Sequence, residues 1–198
     1  MSRAPLTSAA VIADAADLAD EAGFDAVTVS AVARRLGVQT PSLYSHVRDR
    51  EALLDGVTAL ALAELAGRIS AAVAGRAGRP ALEAYANANR SYARESPGRW
   101  QSLQRRAGES VVRSPAARDV VALTGAVLRG YPVPPEELVH AVRVLGSTIN
   151  GYLALERTGN FDHSEPSPAV SWLKTVDALD ALLRAWPAGS TDRKDSTP

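Results

Sequence analysis

Residues 36–54 read LGVQTPSLYSHVRDREALL, a glycine break between two helical patterns, then Tyr44 and His46, then Arg48-Asp49-Arg50. Upstream, Thr28 stands where a hydroxyl caps a short helix carrying Val29, Val32, Ala33 and Leu36 inward, and Gly37 ends it. Downstream, Gln39 or Thr40 opens a third helix, expected to run from Thr40 to His46. Pro41 sits in its first turn, where a missing N–H costs nothing. Asp49 caps a fourth helix. Two short helices joined by a three-residue turn containing Gly make a helix-turn-helix, whose second helix offers its N-terminal residues to the major groove of DNA.

On that second helix only Leu43 and Val47 are strongly apolar, leaving Gln39, Thr40, Ser42, Tyr44, Ser45 and His46 as a polar face larger than solubility needs. Tyr44 and His46, two residues apart, do not share a helix face. They straddle the axis and can each reach phosphates on a groove wall, while Gln39, Thr40, Pro41 and Ser42 approach base edges. Arg50, at the start of the next helix, can add a phosphate contact where the helix dipole also favours an anion. The chain's charge is balanced, 22 basic residues against 22 acidic, which alone argues against a nucleic-acid partner. Its distribution argues otherwise: residues 34–50 hold four arginines against Asp49 alone.

The 198 residues, 46% hydrophobic, are enough for one large or two small helical domains with a proper core. Cysteine is absent, so neither disulfides nor thiolate metal sites contribute. Acids at Asp14, Asp17, Asp20 and Glu21 interrupt any leader-like apolar stretch, and charge breaks the apolar runs before about 18 residues. A soluble, cytoplasmic protein without a membrane partner is expected. His140 and His163 have no neighbouring ligand pair, so neither metal nor cofactor is expected.

Val11, Ala15, Leu18 and Ala22 form one stripe of a first helix between a Thr7 cap and a Gly23 stop. The fourth helix continues through Leu53, Val57, Leu60 or Ala61, Leu65, Ile69 and Val73 until GRAGRP breaks it. Further breaks fall at residues 96–98, 113–115, 130–135 and 158–168, and no β-alternation appears. Two late stripes, Leu138, Val142, Leu145, Ile149 and Tyr152, then Trp172, Val176, Leu179, Leu183 and Trp186, repeat at 4, 3, 4, 3. Such seams suit helix packing between chains or within one, and Leu145, Ile149, Tyr152, Trp172, Val176, Leu179 and Leu183 are assigned to a dimer bundle. The division expected is a helix-turn-helix domain over 1–55 with a connecting helix to about 74, a second helical domain over 75–188, and a disordered tail over 189–198.

The stretch from Leu6 to about Leu65, and VSAVARRLGVQTPSLYSHVRDREALL above all, resembles the DNA-binding domain of the tetracycline-repressor (TetR) family. The resemblance implies an all-α protein, an N-terminal three-helix DNA-binding domain followed by a helical ligand-binding and dimerisation domain. It implies roles for Thr28 as second-helix cap, Gln39, Thr40 and Pro41 as base-reading tip, Tyr44 and His46 as phosphate contacts, and Arg50 where the family usually has Lys. Ser8, Ala9 and Ala10 depart from the basic first turn of many members. More loosely, ANRSYARESPGRWQSL and VRVLGSTINGYLALERTGNF resemble the family's effector half. That implies an apolar or aromatic effector among Tyr92, Trp100, Leu103 and Asn150, a homodimer, and double-stranded operator DNA as partner. No histidine lies between His46 and His140 to hold a drug-bound Mg²⁺.

Rivals from other classes are weaker. Ser171 and Lys174 have the S-x-x-K spacing of a hydrolase but no S-D-N or K-T-G companion, so no enzyme is expected. Gly146 and Gly151 have P-loop spacing, but Tyr152 replaces the essential Lys. A helical ligand-binding protein with a vestigial helix-turn-helix is the second rival.

Overall fold

The computed structural model describes residues 6–187; the expected tail lies outside the described residues. All regular structure among them is helical: α1 (Ser8–Ala22), α2 (Val29–Leu36), α3 (Thr40–Leu43), α4 (Arg50–Val73), α5 (Gly78–Glu95), α6 (Pro97–Ser102), α7 (Glu109–Val112), α8 (Pro115–Leu128), α9 (Leu138–Arg157) and α10 (Pro168–Arg184), with 3-10 turns at Phe24–Ala26 and Pro135–Glu137.

The caps read from the sequence carry the first helices. Thr7 Oγ1 accepts from Ala10 N–H and Thr28 Oγ1 from Ala31 N–H, each at 3.1 Å. Gly37 closes α2 in the left-handed conformation, φ 65° and ψ 37°, and Val38 N–H reaches back to Ala33 O. Thr28→Ala should cost about 1 kcal/mol by thermal unfolding. Asp49 Oδ1 accepts from Ala52 N–H at 2.7 Å and opens α4. That bond, with the Arg48 guanidinium, holds the Asp49 carboxyl below its usual range. A depressed carboxylate stabilises the fold above its unfolded pKa, about 3.9, and loses that contribution as pH falls through the lower folded value. Asp49→Asn keeps a cap but not the titration, so its stability deficit near neutrality should vanish on acidification, as melts at a series of pH values would show.

Around these caps one core forms from Val11, Ala15 and Ala19 of α1, Phe24, Val27, Val32 of α2, Leu43, Val47, and Leu53, Leu54 and Val57 of α4. α3 is shorter than expected, ending at Leu43 instead of His46. Residues 44–46 form a turn in which Tyr44 N–H bonds to Pro41 O and His46 N–H to Leu43 O, while Ser45 Oγ takes Ser42 O at 2.8 Å. Serine hydroxyls that engage nearby carbonyls compete with helix continuation.

α4 corrects the hydropathy reading. Its 24 residues are long and apolar enough to cross a bilayer by length and composition. Here Leu53, Val57, Ala61, Leu65 and Ile69 are buried against protein, and its charged residues are engaged: Glu51 and Asp55 with Arg105, Glu64 with Tyr92, Arg68 with Glu95.

The chain forms two compact units, each built from two separate stretches. One comprises residues up to Ala71 with Ala88–Ala122, the other Ala72–Asn87 with residues from Leu123 onward. In the first, α6 sits on α1. Gly98 is there because nothing larger fits: a Cβ at that position would lie 1.9 Å from Ala19 O. Asp20 Oδ1 accepts from Gly98 N–H at 2.8 Å and Arg99 N–H at 2.9 Å, and the Arg99 guanidinium spans Asp20 and Asp17 at 2.5 and 2.6 Å.

In the second unit the two late stripes are found inside the chain. Leu145, Ile149, Trp172, Val176, Leu179 and Leu183 are 0–3% exposed in the single chain. Tyr152 is half-buried, its ring 5.0 Å from Trp172 and its hydroxyl on Pro168 O. Six of the seven residues assigned to a dimer seam are thus covered within their own chain and Tyr152 is half-covered, which leaves them little surface to give a partner. The outward faces of the same helices carry Val139 and Leu155 on α9 and Val170, Leu173 and Leu182 on α10. Polar groups inside the unit are paired: Trp172 Nε1 donates to Asn87 Oδ1 at 2.8 Å, and Tyr131 Oη and Arg184 Nε both donate to Asp180, at 2.7 and 2.8 Å. Burial raises the Tyr131 phenol, and Asp180 raises it further.

Candidate nucleic-acid interface

Leu43, fully buried, and Val47 anchor the reading helix, so the residues between and before them face out. Gln39, Pro41, Ser42, Tyr44 and Ser45 are exposed, Thr40 and His46 half-buried. Tyr44, with 54% of its surface exposed, is the largest solvent-facing aromatic here and has no folding reason to be there. Gln39 is the extended residue before the first helical turn, φ −75° and ψ 140°, with Pro41 fixing that turn. His46 is positioned from two sides: its N–H bonds to Leu43 O, and its carbonyl accepts from Ser8 Oγ at 2.9 Å, tying α1's first residue to the reading turn. No local pattern announces the Ser8 contact, which joins residues 38 positions apart.

The four arginines of this stretch are not equivalent. Arg35 is held by Asp14 at 3.0 Å and by both oxygens of Glu21, and its hydrogen bonds keep Glu21 below the usual carboxylate range. Arg48 pairs with Asp49 at 2.7 Å. Arg50 Nε donates to Val27 O at 3.2 Å, which braces the turn before α2 and leaves its other N–H groups outward. Arg34 is exposed in the last turn of α2 and carries no ion pair among the described residues. The local positive charge free of an ion pair thus reduces to Arg34 and Arg50 among the described residues.

The effector residues are placed differently from one another. Tyr92 is fully buried, its hydroxyl donating to Glu64 at 2.8 Å with Arg68 5.0 Å over its ring. Burial, and then Glu64, raises its phenol. Trp100 is buried in α6, Leu103 follows it half-buried, and Asn150 lies in the other unit with its amide on Gly146 O. Tyr92, Trp100 and Leu103 thus belong to the first unit and Asn150 to the second. Ser171 and Lys174 lie one turn apart on α10 with no hydrogen bond between them among the described residues, and those residues contain no cluster of three or more metal-ligating side chains.

A buried-anchor helix-turn-helix with an outward polar reading helix defines a DNA-binding regulator. Comparison with known proteins gives the family. The profile for bacterial regulatory proteins of the tetR family matches residues 11–57, and that for the tetracyclin repressor-like C-terminal domain matches 82–179. The uncharacterised HTH-type transcriptional regulator Rv0681 of Mycobacterium tuberculosis is 32% identical over 161 residues, covering 80% of this chain and 74% of that protein. The class A tetracycline repressor from transposon 1721 of Escherichia coli is 50% identical over 54 residues, 27% of this chain and 25% of that one. A TetR variant from Acinetobacter baumannii, solved in complex with minocycline, superposes with a TM-score of 0.68 at 26% identity, over 89% of this chain and 96% of that one. The chain belongs to the TetR family of transcriptional regulators.

Proposed function

We propose that the protein is a homodimeric, cytoplasmic repressor that binds inverted-repeat operator DNA and is released by a small-molecule effector. The observation that carries the reading is the exposed edge Gln39, Pro41, Ser42 and Tyr44 over buried Leu43 and Val47. Affinity comes mainly from phosphate contacts by Tyr44, His46 and Arg50, with Arg34 as a further cation, and base preference from Gln39 to Ser42. Dimerisation uses the outward faces of α9 and α10, where exposed Leu155, Leu173 and Leu182 have no folding role in the single chain. The solved relative bound to minocycline supports a small-molecule effector.

Selecting DNA from a random pool and measuring affinity across salt tests this. Tyr44→Phe and His46→Ala should weaken all sequences alike, with the salt slope falling by up to about one unit per lost phosphate contact and less for neutral Tyr44. Gln39→Ala and Thr40→Ala should change the preferred bases. A chain that selects no inverted repeat would overturn the reading.

A further inference from the structure

In the first unit a groove of about 430 Å³ runs between α4, the segment before α7, α7 and α8, walled by Leu62, Ala107, Val111, Val112, Ala117 and Val121. Its volume falls within the range of small-molecule sites, about 300 to 1,000 Å³. Val112 and Val121 stand 62% and 66% exposed on its wall, two branched aliphatic side chains turned to water on a concave surface. The only charged side chain lining it is Arg118. One nitrogen of that guanidinium donates to Arg113 O at 2.7 Å, and no carboxylate pairs with it among the described residues. No aromatic ring lines the groove, so nothing there stacks on a planar ligand.

Val111 also borders a second recess, a polar one that holds Asp55 of α4. Asp55 fixes the segment leading into α7, accepting from Arg105 Nη1 at 2.5 Å, Gly108 N–H at 3.4 Å and Ser110 Oγ at 3.3 Å. The other end of the Arg105 guanidinium donates to Glu51 at 2.5 Å. Gly108 packs directly on this carboxylate: a Cβ there would lie 2.1 Å from Asp55 Oδ2 and would push it aside. Glu51 follows Arg50, which grips Val27 O ahead of α2. A displacement of Val111 is therefore resisted first at Asp55 and then at the base of the reading head.

We propose that this groove binds an aliphatic monocarboxylate, its hydrocarbon chain against Leu62, Val111, Val112 and Val121 and its carboxylate at Arg118, and that occupancy is passed to the reading head through Asp55 and Arg105. This rests on the ligand-responsive reading above and gives the effector a chemical class and a place. An uncharged chain of equal length gains the same apolar burial but not the charge-assisted bond, and each buried methylene adds about fourfold in affinity.

Calorimetric titration of the full chain with decanoate, 1-decanol and octanoate tests the site without DNA. Decanoate should bind about five- to tenfold more tightly than 1-decanol, a preference Arg118→Gln should abolish. Octanoate should bind at least tenfold more weakly. Val121→Asp, which sets a carboxylate on the rim without touching the core, should suppress decanoate binding. Equal affinities for decanoate and 1-decanol, or an Arg118→Gln chain with unchanged decanoate affinity, overturns the site. With selected operator present, decanoate should weaken DNA binding about 5- to 150-fold, and Arg105→Gln should keep decanoate binding while losing most of that release. Decanoate that binds and leaves operator affinity unchanged overturns the regulatory role. Because the titration uses no DNA, a chain that selects no operator would sink the repressor reading while leaving the groove measurement standing.

Discussion

An Ile149→Asp chain should lose the fold of its second unit instead of yielding folded monomers. Ile149 is 1% exposed within one chain, so the substitution removes a buried branched side chain and puts a carboxylate in its place. Losing the aliphatic group costs about 2 to 4 kcal/mol, and the buried carboxyl must be desolvated or protonated besides, so the total exceeds about 4 kcal/mol. Whole domains are stable by only about 5 to 15 kcal/mol. Loss of near-ultraviolet dichroism and of amide protection across α9 and α10 is the expected readout. Leu173→Asp, on the outward face of α10, should stay folded and shift sedimentation from dimer to monomer. A folded, monomeric Ile149→Asp chain would return the seam to the subunit interface.

Gly98→Ala should be nearly as damaging through one methyl group. The new Cβ would meet the carbonyl oxygen and carbon of Ala19, backbone atoms that cannot rotate aside as a side chain can. α6 has to move off α1, and moving it lengthens the bonds from Gly98 and Arg99 N–H to Asp20. Overpacking costs about 1 to 3 kcal/mol and a weakened bond to a charged acceptor about 1.5 to 3 kcal/mol, together near 4 kcal/mol. For a chain of this size that lowers the melting temperature by about 8 to 16 °C. Asp20→Asn keeps the shape and removes the charge, so it should cost less and separate clash from electrostatics. A Gly98→Ala chain melting within a degree of wild type would mean that α6 does not seat on α1.

Local rules were enough for local features. Thr7, Thr28 and Asp49 were legible as caps, and the positions of Gly37 and Pro41 as a turn, because each acts within three or four residues of its own place. The breaks at residues 96–98, 113–115, 130–135 and 158–168 were legible for the same reason and separate α5 from α6, and α7, α8, α9 and α10 from one another, whereas the gap at 103–108 between α6 and α7 carried no such signal. Periodicity showed which faces of α9 and α10 are apolar but not what covers them, since a stripe looks the same against its own chain or a second copy. The arginine count overstated the free charge because the partners of Arg35, Asp14 and Glu21, lie 21 and 14 residues away. The bond from Arg99 to Asp20 spans 79 residues, and that from Arg105 to Asp55 spans 50; no spacing in the chain announces either.

The Asp20 and Asp55 attachments also bear on modular engineering. Exchange of DNA-reading heads between regulators assumes a cut after the helix-turn-helix, yet here α1 carries half of a joint whose other half is Gly98 and Arg99, and α4 carries Glu51 and Asp55 for Arg105. A chimaera joined near residue 57 would bring the carboxylates without their arginine and glycine, or the reverse. Grafting should succeed when residues 98, 99, 105 and 108 travel with the head as a matched set, which makes the smallest transferable part of this protein discontinuous in its gene.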